Sequence, residues 1–172
     1  MGQTPRWVTR SADRAAARDW AYTRDSMSEH QRIGLLSHRD SSVEAFEEYL
    51  NRFEAPAHEG FVICLRDTGT IVGGNTNNIV LGTLQCGTLG YTTYASTTRR
   101  GYVTEGVGLV LDFAFDALGL HRLEANIQPK NTPSVHVVKR LDFRREGLST
   151  DFQFINGAWR DHERWAITAT ER

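Results

Sequence analysis

Cysteine is scarce in this chain, with only Cys64 and Cys86 among 172 residues. Both lie in apolar, strand-like stretches, and their spacing matches neither a disulfide framework nor the paired cysteines of a zinc site. We interpret them as small buried apolar residues, and no metal site is predicted. A single domain over residues 1–172 is long enough to bury a core without disulfide or metal support.

The chain also lacks an excess of one charge and a long apolar run. Its formal net charge is -1 at pH 7, from 20 basic and 21 acidic residues. Neither a nucleic acid nor an anionic membrane is therefore expected as its main partner. No apolar stretch approaches the length of a membrane span, and residues 1–7 lack the apolar core of a secretory signal. A cytoplasmic protein is expected.

The first third of the chain predicts one strand and two helices. Arg6–Arg10 is expected to form a short strand, and Ser11 or Asp13 to begin a helix running toward His30. Apolar residues at helical spacing, with glutamates near the start, predict a second helix over residues 43–53.

The next segment predicts strands. Residues 61–66 and 70–73 are rich in β-forming residues and are joined by a turn sequence at residues 67–69, which favours a hairpin. The polar residues 75–78 are expected to interrupt the sheet. One long or bent strand is then predicted over residues 79–94.

The second half predicts alternating helices and strands. A one-sided helix is expected from Thr104 and can end at Gly119, and residues 120–127 return to strand. Pro133 suits the first turn of another helix. The tail alternates around Asn156-Gly157, a strong two-residue hairpin signal.

The most informative run covers residues 96–147, because its first turn can bind a phosphate. Backbone N–H groups precede a helix there, and Gly101 allows close approach of an anion. Arg99 and Arg100 can add charge-assisted contacts. The turn is neither a P-loop nor a dinucleotide fingerprint, and an ordinary solvated loop is the alternative.

This run and its surroundings resemble the GCN5-related N-acetyltransferase (GNAT) superfamily, and within it the RimJ/RimL group of ribosomal-protein N-terminal acetyltransferases. The likeness covers about residues 87–168, and it rests on the segments L-G-Y-T-T-Y-A-S-T-T-R-R-G-Y-V-T-E, L-G-L-H-R-L-E-A-N, N-T-P-S and I-N-G-A-W-R-D-H. It implies an α/β (α+β) fold with a mixed, strongly bent sheet of about six to seven strands, flanked by about four helices. It also implies acetyl-CoA as the donor and co-substrate.

The resemblance further implies which residues bind the coenzyme. The pyrophosphate is expected on the turn, and the pantetheine arm and the oxyanion against backbone N–H groups of residues 91–95. The candidate cofactor-binding residues are Tyr91, Thr92, Thr93, Tyr94, Arg99, Arg100, Gly101, Tyr102, Val103, Thr104, Asn131 and Ser134. Thr98 and Val103 depart from the usual first and last residues of the turn, but the backbone donors survive both changes.

The reaction implied by the resemblance is direct transfer. A neutral amine attacks the thioester carbonyl, a tetrahedral oxyanion forms, and the CoA thiolate leaves. Ser134 matches the proposed acid of RimL-like proteins, although it can equally be a helix-start hydroxyl. Asn131 either binds the cofactor or shapes the turn. Val138 stands where many relatives carry a tyrosine acid.

The general base is less well defined. The glutamate of RimL-like proteins falls at Gln153, which cannot usefully accept a proton. Glu124 and Asp151 are the remaining catalytic carboxylate candidates, whereas Glu105 fits a helix start. Because an α-amino group has a pKa near roughly 8, against about 10.4 for lysine, a weak base or a water chain suffices for an N-terminus.

Two histidines and two tryptophans invite functional interpretations as well. His121 and His162 are more typical of hydrogen-bonded structural residues than of catalytic ones in these strand contexts. Trp159 and Trp165 fit core or subunit-contact positions better than substrate platforms.

Three functions remain open. The leading hypothesis is an acetyl-CoA N-acetyltransferase acting on a protein N-terminal amine, with a ribosomal protein as a candidate acceptor. The second is an enzyme that acetylates a small amine such as a polyamine, an amino acid or an antibiotic. The third is a non-catalytic acyl-CoA-binding module. A monomer or a homodimer is expected.

Overall fold

The computed structural model describes residues 6–10, 58–65, 68–80 and 83–172. The strands are β1 (Arg6–Arg10), β2 (His58–Leu65), β3 (Ile71–Val80), β4 (Cys86–Thr93), β5 (Arg122–Ile127), β6 (Arg144–Ile155) and β7 (Ala158–Thr168), and the helices are α1 (Tyr102–Asp112) and α2 (Thr132–Arg140). A 3₁₀ turn, Ala95–Thr97, precedes α1, and a π-helical turn, Phe113–Ala117, extends it. The helices predicted between residue 11 and His30 and over residues 43–53 lie outside the described residues.

The strands form one mixed sheet in the order β1-β2-β3-β4-β5-β7-β6. Strands β4 and β5 run parallel, and the other neighbouring pairs are antiparallel. A parallel pair needs a crossover connection, which α1 and its π-helical extension provide. The predicted mixed α+β fold is confirmed.

The three predicted turns are confirmed. Gly69, between β2 and β3, has φ 68°, and its N–H donates to the Leu65 carbonyl at 2.8 Å. Gly119 follows the π-helical turn with φ 65°. Asn156 and Gly157 join β6 to β7 with φ 49° and 80°, as a two-residue hairpin turn requires.

The predicted interruption at residues 75–78 is wrong. Strand β3 continues through them, with Asn75 paired to Phe61 of β2 and to Tyr91 of β4. Because β3 has a strand partner on each side, ladder hydrogen bonds outweigh the low β-propensity of asparagine, a preference of only about 1 kcal/mol. The strand predicted over residues 79–94 is instead broken at residues 83–85, where Gln85 has φ 42°.

The core lies between the sheet and the two helices. Val107 and Leu111 of α1 are fully buried with Ile63 of β2 and Leu123 of β5. A Cβ at Gly106 would lie 2.6 Å from the Ile63 side chain, so α1 packs directly on β2. No helix of the described residues is long and apolar enough to cross a membrane.

The two cysteines depart slightly from expectation. Cys64 lies in β2 and Cys86 in β4, as the strand-like context indicated. Both are unbridged and half-buried rather than fully buried.

Candidate functional site

Four elements meet at one edge of the sheet. The parallel strands β4 and β5 both end there, and each leads through a short connection into a helix: residues 94–101 into α1, and residues 128–131 into α2. In sheets of this kind, ligands bind outside the carboxyl ends of the parallel strands. The two helix starts and the two strand ends therefore define the candidate site.

A gap opens between β4 and β5 toward this edge. Their ladder covers three residue pairs and ends at Thr88↔Glu124. Beyond that point β4 stays paired with β3 as far as Thr93, and β5 stays paired with β7 as far as Ile127. Within the described residues, no residue of β4 beyond Thr88 is paired in register with β5. The two strand ends therefore leave a gap that a ligand can enter.

The start of α1 has no side-chain cap. Gly101 occupies the cap position with φ 77°, and its carbonyl accepts the first helical hydrogen bond, from Glu105 N–H at 3.0 Å. A Cβ at Gly101 would meet no atom within 4 Å, so the surface there is open. Arg99, with φ 61°, and Arg100 are both exposed beside it. The arrangement presents the positive end of a helix and two guanidinium groups to an anion.

Hydroxyl groups hold the end of β4 against β3. The Oγ1 atoms of Thr93 and Thr97 each donate to the Val72 carbonyl at 3.0 Å. The backbone approach is close as well, because a Cβ at Gly73 would lie 2.4 Å from the Thr92 carbonyl oxygen. Strand β4 is therefore held by β3, on the side away from the gap.

The start of α2 is closed by two side chains. Asn131 is the cap residue, and its Oδ1 accepts a hydrogen bond from Ser134 N–H at 3.3 Å. The Tyr91 phenol, which extends from β4, donates to the Ser134 carbonyl at 2.8 Å. The Ser134 backbone is thus held at both its donor and its acceptor. Since Asn131 provides the cap, the Ser134 hydroxyl is not needed for that role.

Burial determines the charge state of Tyr91. It raises the pKa of this phenol well above its usual value, and a hydrogen bond with the Ser134 side chain opposes the rise by a smaller amount. The phenol is therefore neutral and remains a hydrogen-bond donor. Val138, where many relatives carry a tyrosine acid, is fully buried in the core.

The structure separates the two carboxylate candidates. Glu124 lies at the closed end of the gap, where its Oε1 accepts from Arg122 Nε at 2.8 Å and its Oε2 is 3.9 Å from Arg164 Nε. Asp151 lies in the irregular part of β6, with φ 47°, on the portion of the β6–β7 hairpin that extends past β5. Its N–H donates to Asp161 at 2.9 Å. Glu124 thus belongs to the last β4–β5 pair, and both catalytic roles stay predictions.

An ion-pair network joins β5, β6 and the C-terminal turn behind Glu124. Arg122 also pairs with Glu146, and Arg144 pairs with Glu146 and Glu171. Hydrogen bonding from Arg122 holds the pKa of the Glu146 carboxyl below its usual value. These contacts tie β5 to β6 and so fix one wall of the gap.

His162 and Trp165 occupy structural positions. His162 is buried, with Nδ1 3.1 Å from the Arg160 carbonyl oxygen and its ring beside Phe152. Trp165 is in the core, and its Nε1 donates to Glu163 at 3.2 Å. Trp159 is instead exposed near the hairpin turn.

One polar residue at the gap carries no recognisable signal in the sequence. Asn126 lies on β5 two residues beyond the last ladder pair, and its Oδ1 is shut off from solvent without a hydrogen-bond partner among the described residues. The strand alternates buried Leu123, Ala125 and Ile127 with half-buried polar residues. In this pattern no sequence feature separates Asn126 from an ordinary outward-facing position.

Comparisons with known proteins all identify N-acetyltransferases as similar to this chain. The family model of the acetyltransferase (GNAT) domain matches residues 4–144. The probable N-acetyltransferase YjcK of Bacillus subtilis is 36% identical over 121 residues, which are 70% of this chain and 67% of YjcK. The [ribosomal protein uS5]-alanine N-acetyltransferase of Escherichia coli is 31% identical over 106 residues, 61% of this chain, and the match spans about half of that enzyme, 55%.

Solved structures share the fold. Mycobacterium smegmatis RimJ in complex with CoA-disulfide superposes with a TM-score of 0.85 at 30% identity, covering 96% of this chain and 83% of RimJ. The spermidine N-acetyltransferase of Vibrio cholerae in complex with CoA and spermine has a TM-score of 0.80 at 18% identity, with 96% of each chain covered. At that identity the second likeness concerns the fold alone.

Proposed function

Because the chain belongs to the GNAT acetyltransferase family and is an N-acetyltransferase, we propose that it transfers an acetyl group from acetyl-CoA to the α-amine of a protein N-terminus. The observation that carries the choice of acceptor is the likeness to RimJ, at 30% identity over nearly the whole chain. The similarity to the enzyme that acetylates the alanine of ribosomal protein uS5 supports the same choice.

The described residues fit a coenzyme A group. The start of α1 lacks a side-chain cap, and open space over Gly101 leaves room for a pyrophosphate between Arg99 and Arg100. The gap between β4 and β5 leads from this start into the sheet, so it can receive the extended pantetheine arm. We assign the turn and the open edge of β4 to donor binding.

Bound acetyl-CoA supplies the acetyl group as an activated thioester. Backbone N–H groups on the open edge of β4 are positioned to stabilise negative charge on the thioester oxygen. The Ser134 hydroxyl, held at the start of α2, donates a proton to the leaving sulfur. Glu124 at the closed end of the gap accepts the amine proton, directly or through water. Asp151 is the alternative base.

A small amine is the second candidate acceptor. The observation in its favour is the spermidine N(1)-acetyltransferase of Escherichia coli, which is 31% identical over 68 residues, although these are only 40% of this chain. A polyamine acceptor would be expected to need a strongly acidic groove. The N-terminal half of the chain is expected to form the acceptor side, and residues 11–57 of it lie outside the described residues.

Thiol release from acetyl-CoA tests the proposal. The full chain is incubated with acetyl-CoA and, separately, with an Ala-initiated peptide, the same peptide blocked at its N-terminus, spermidine and a panel of amino acids. We expect turnover with the open peptide and none with the blocked one. Faster turnover with spermidine than with the peptide would indicate a small amine as the acceptor. Acetyl-CoA binding without turnover on any amine would favour a non-catalytic module.

A further inference from the structure

We propose that Asn126 binds the acceptor amine, with its Oδ1 accepting a hydrogen bond from the amine N–H. This inference rests on the proposed function, and it names a residue on the acceptor side of the same gap. Its starting observation is that Oδ1 is buried without a hydrogen-bond partner among the described residues.

An unpaired buried carbonyl oxygen costs stability, because it loses its hydrogen bonds to water and gains none from the protein. Most buried polar atoms in native proteins avoid this cost by pairing. Nearby carboxylate oxygens do pair: those of Glu124 contact Arg122 and Arg164. Among the described residues, Asn126 therefore offers a buried side-chain acceptor atom that lacks a donor.

Asn126 lies beside a glycine position of β4. The β4–β5 ladder ends at Thr88↔Glu124, so the residue that would face Asn126 if the ladder continued is Gly90. Gly90 is exposed and has no side chain. Because Oδ1 is shut off from solvent, an acceptor must widen the gap to reach it, and at this register position no side chain of β4 has to move aside.

Asn126 and Ser134 lie on opposite faces of the sheet. Residues Leu123, Ala125 and Ile127 of β5 face the core that α2 covers, so Asn126 faces the other side. Ser134 belongs to α2 and is reached by Tyr91, which packs against the same core. An amine held by Asn126 thus approaches the thioester from the face opposite the proposed proton donor to the leaving sulfur.

Hydrogen bonding to Oδ1 would also orient the amine. A primary amine that donates one N–H to Asn126 has a second N–H for the base and keeps its lone pair for the carbonyl carbon. The amide is neutral, so it can bind the uncharged, reactive amine without holding it as an ammonium ion. Asn126 would therefore favour primary amines over acceptors that lack a second N–H.

The test compares Asn126→Leu with Thr88→Val in the full chain, using acetyl-CoA and the Ala-initiated peptide. Asn126→Leu keeps the number and branching of the side-chain heavy atoms and removes the amide. Thr88→Val removes a polar atom from the same face, within the paired part of the ladder. We expect Asn126→Leu to raise the KM for the peptide by about three- to tenfold, the effect of one net hydrogen bond, and to leave the KM for acetyl-CoA unchanged. Its melting temperature should be equal or higher, because an unpaired buried atom is gone.

Each other outcome overturns the inference. An unchanged peptide KM in an active variant would exclude the contact and leave the proposed function intact. Parallel changes in both KM values, an equal effect in Thr88→Val, or misfolding of both Asn126→Leu and Asn126→Ala would make the amide structural. Absence of wild-type turnover on every amine would overturn the proposed function, and with it the assignment of Asn126.

Discussion

Helices α1 and α2 begin at the same edge of the sheet, but their first turns are built differently. The cap position of α1 is Gly101, at φ 77°, and no side chain caps that helix. The cap position of α2 is Asn131, which bonds Ser134 N–H, while Tyr91 closes the Ser134 carbonyl from β4. The start of α1 is open to a ligand, and we call it the open start. The start of α2 is already bonded to side chains of the protein, and we call it the closed start.

The difference assigns different tasks to two otherwise similar elements. An open helix start keeps its positive end accessible and suits an anion that must bind and leave. A closed start gives up that capacity, but it fixes the residues of the first turn, as a group that acts on a reacting atom requires. The open start therefore belongs to coenzyme binding and the closed start to the proposed acid, Ser134.

Placing a negative charge at the open start should have the largest effect. We expect Gly101→Asp to weaken CoA binding by roughly 100-fold or more, since like charges in contact cost several kcal/mol. Gly101→Asn is the matched control: it has the same size, tolerates positive φ and carries no charge. Titration calorimetry with CoA measures both. Unchanged affinity in a folded Gly101→Asp protein would remove the turn from the coenzyme site.

Removing the hydroxyl at the closed start should affect turnover instead. A positioned acid contributes about 100-fold or more in many enzymes, but a thiol has a pKa near 8.5 and leaves readily, so we expect Ser134→Ala to lower kcat by roughly tenfold. The KM for acetyl-CoA should change less than kcat. Thr132→Ala, which removes an exposed hydroxyl from the same turn, is the control. If the two variants turn over equally fast, Ser134 has no role as an acid.

The open start was the more predictable of the two. Its features are local: a glycine with positive φ, adjacent arginines and an apolar stripe beginning within one turn of it all lie within a short stretch of sequence. The observed helix begins at Tyr102, against the predicted Thr104. Local backbone chemistry and helical periodicity suffice for such an element.

The closed start and the gap could not be predicted in the same way. The contact between Tyr91 and Ser134 joins residues 43 positions apart, and it depends on where β4 leaves β5. Beyond Thr88, β4 stays paired with β3, and beyond Glu124, β5 stays paired with β7; no local pattern reports this separation. The same non-local pairing carried β3 through its asparagines and left Asn126 without a partner.

Opening the closed start should give a smaller, measurable change in stability. We expect Asn131→Ala to lower the free energy of unfolding by about 1 kcal/mol, because one helix-start N–H loses its acceptor. The melting temperature should fall by about 2–4 °C for a chain of this size. Asn131→Ser retains a capping oxygen and should recover most of the loss. Equal melting temperatures for wild type and Asn131→Ala would mean that the cap does not hold α2.

Removing the hydrogen bond from Tyr91 to the Ser134 carbonyl should have the smallest effect on stability at neutral pH. At high pH its effect on stability should differ in a characteristic way. Tyr91→Phe deletes one hydrogen bond, so we expect a loss of about 0.5–1 kcal/mol at pH 7, with Thr170→Val as the control for a lost exposed hydroxyl. Burial raises the pKa of Tyr91 in the folded protein, whereas the unfolded chain has an ordinary value near 10.

As the pH rises above about 10, the unfolded chain therefore releases this proton first, and the wild type loses stability with a slope that Tyr91→Phe lacks. Urea unfolding at pH 7 and at about pH 10.5 compares the two proteins, and the deficit of Tyr91→Phe should shrink or reverse at the higher pH. Parallel pH dependence would contradict the burial of this phenol against Ser134. Only Asn131 would then stabilise the first turn of α2. The first turns of α1 and α2 would differ in that one capping side chain.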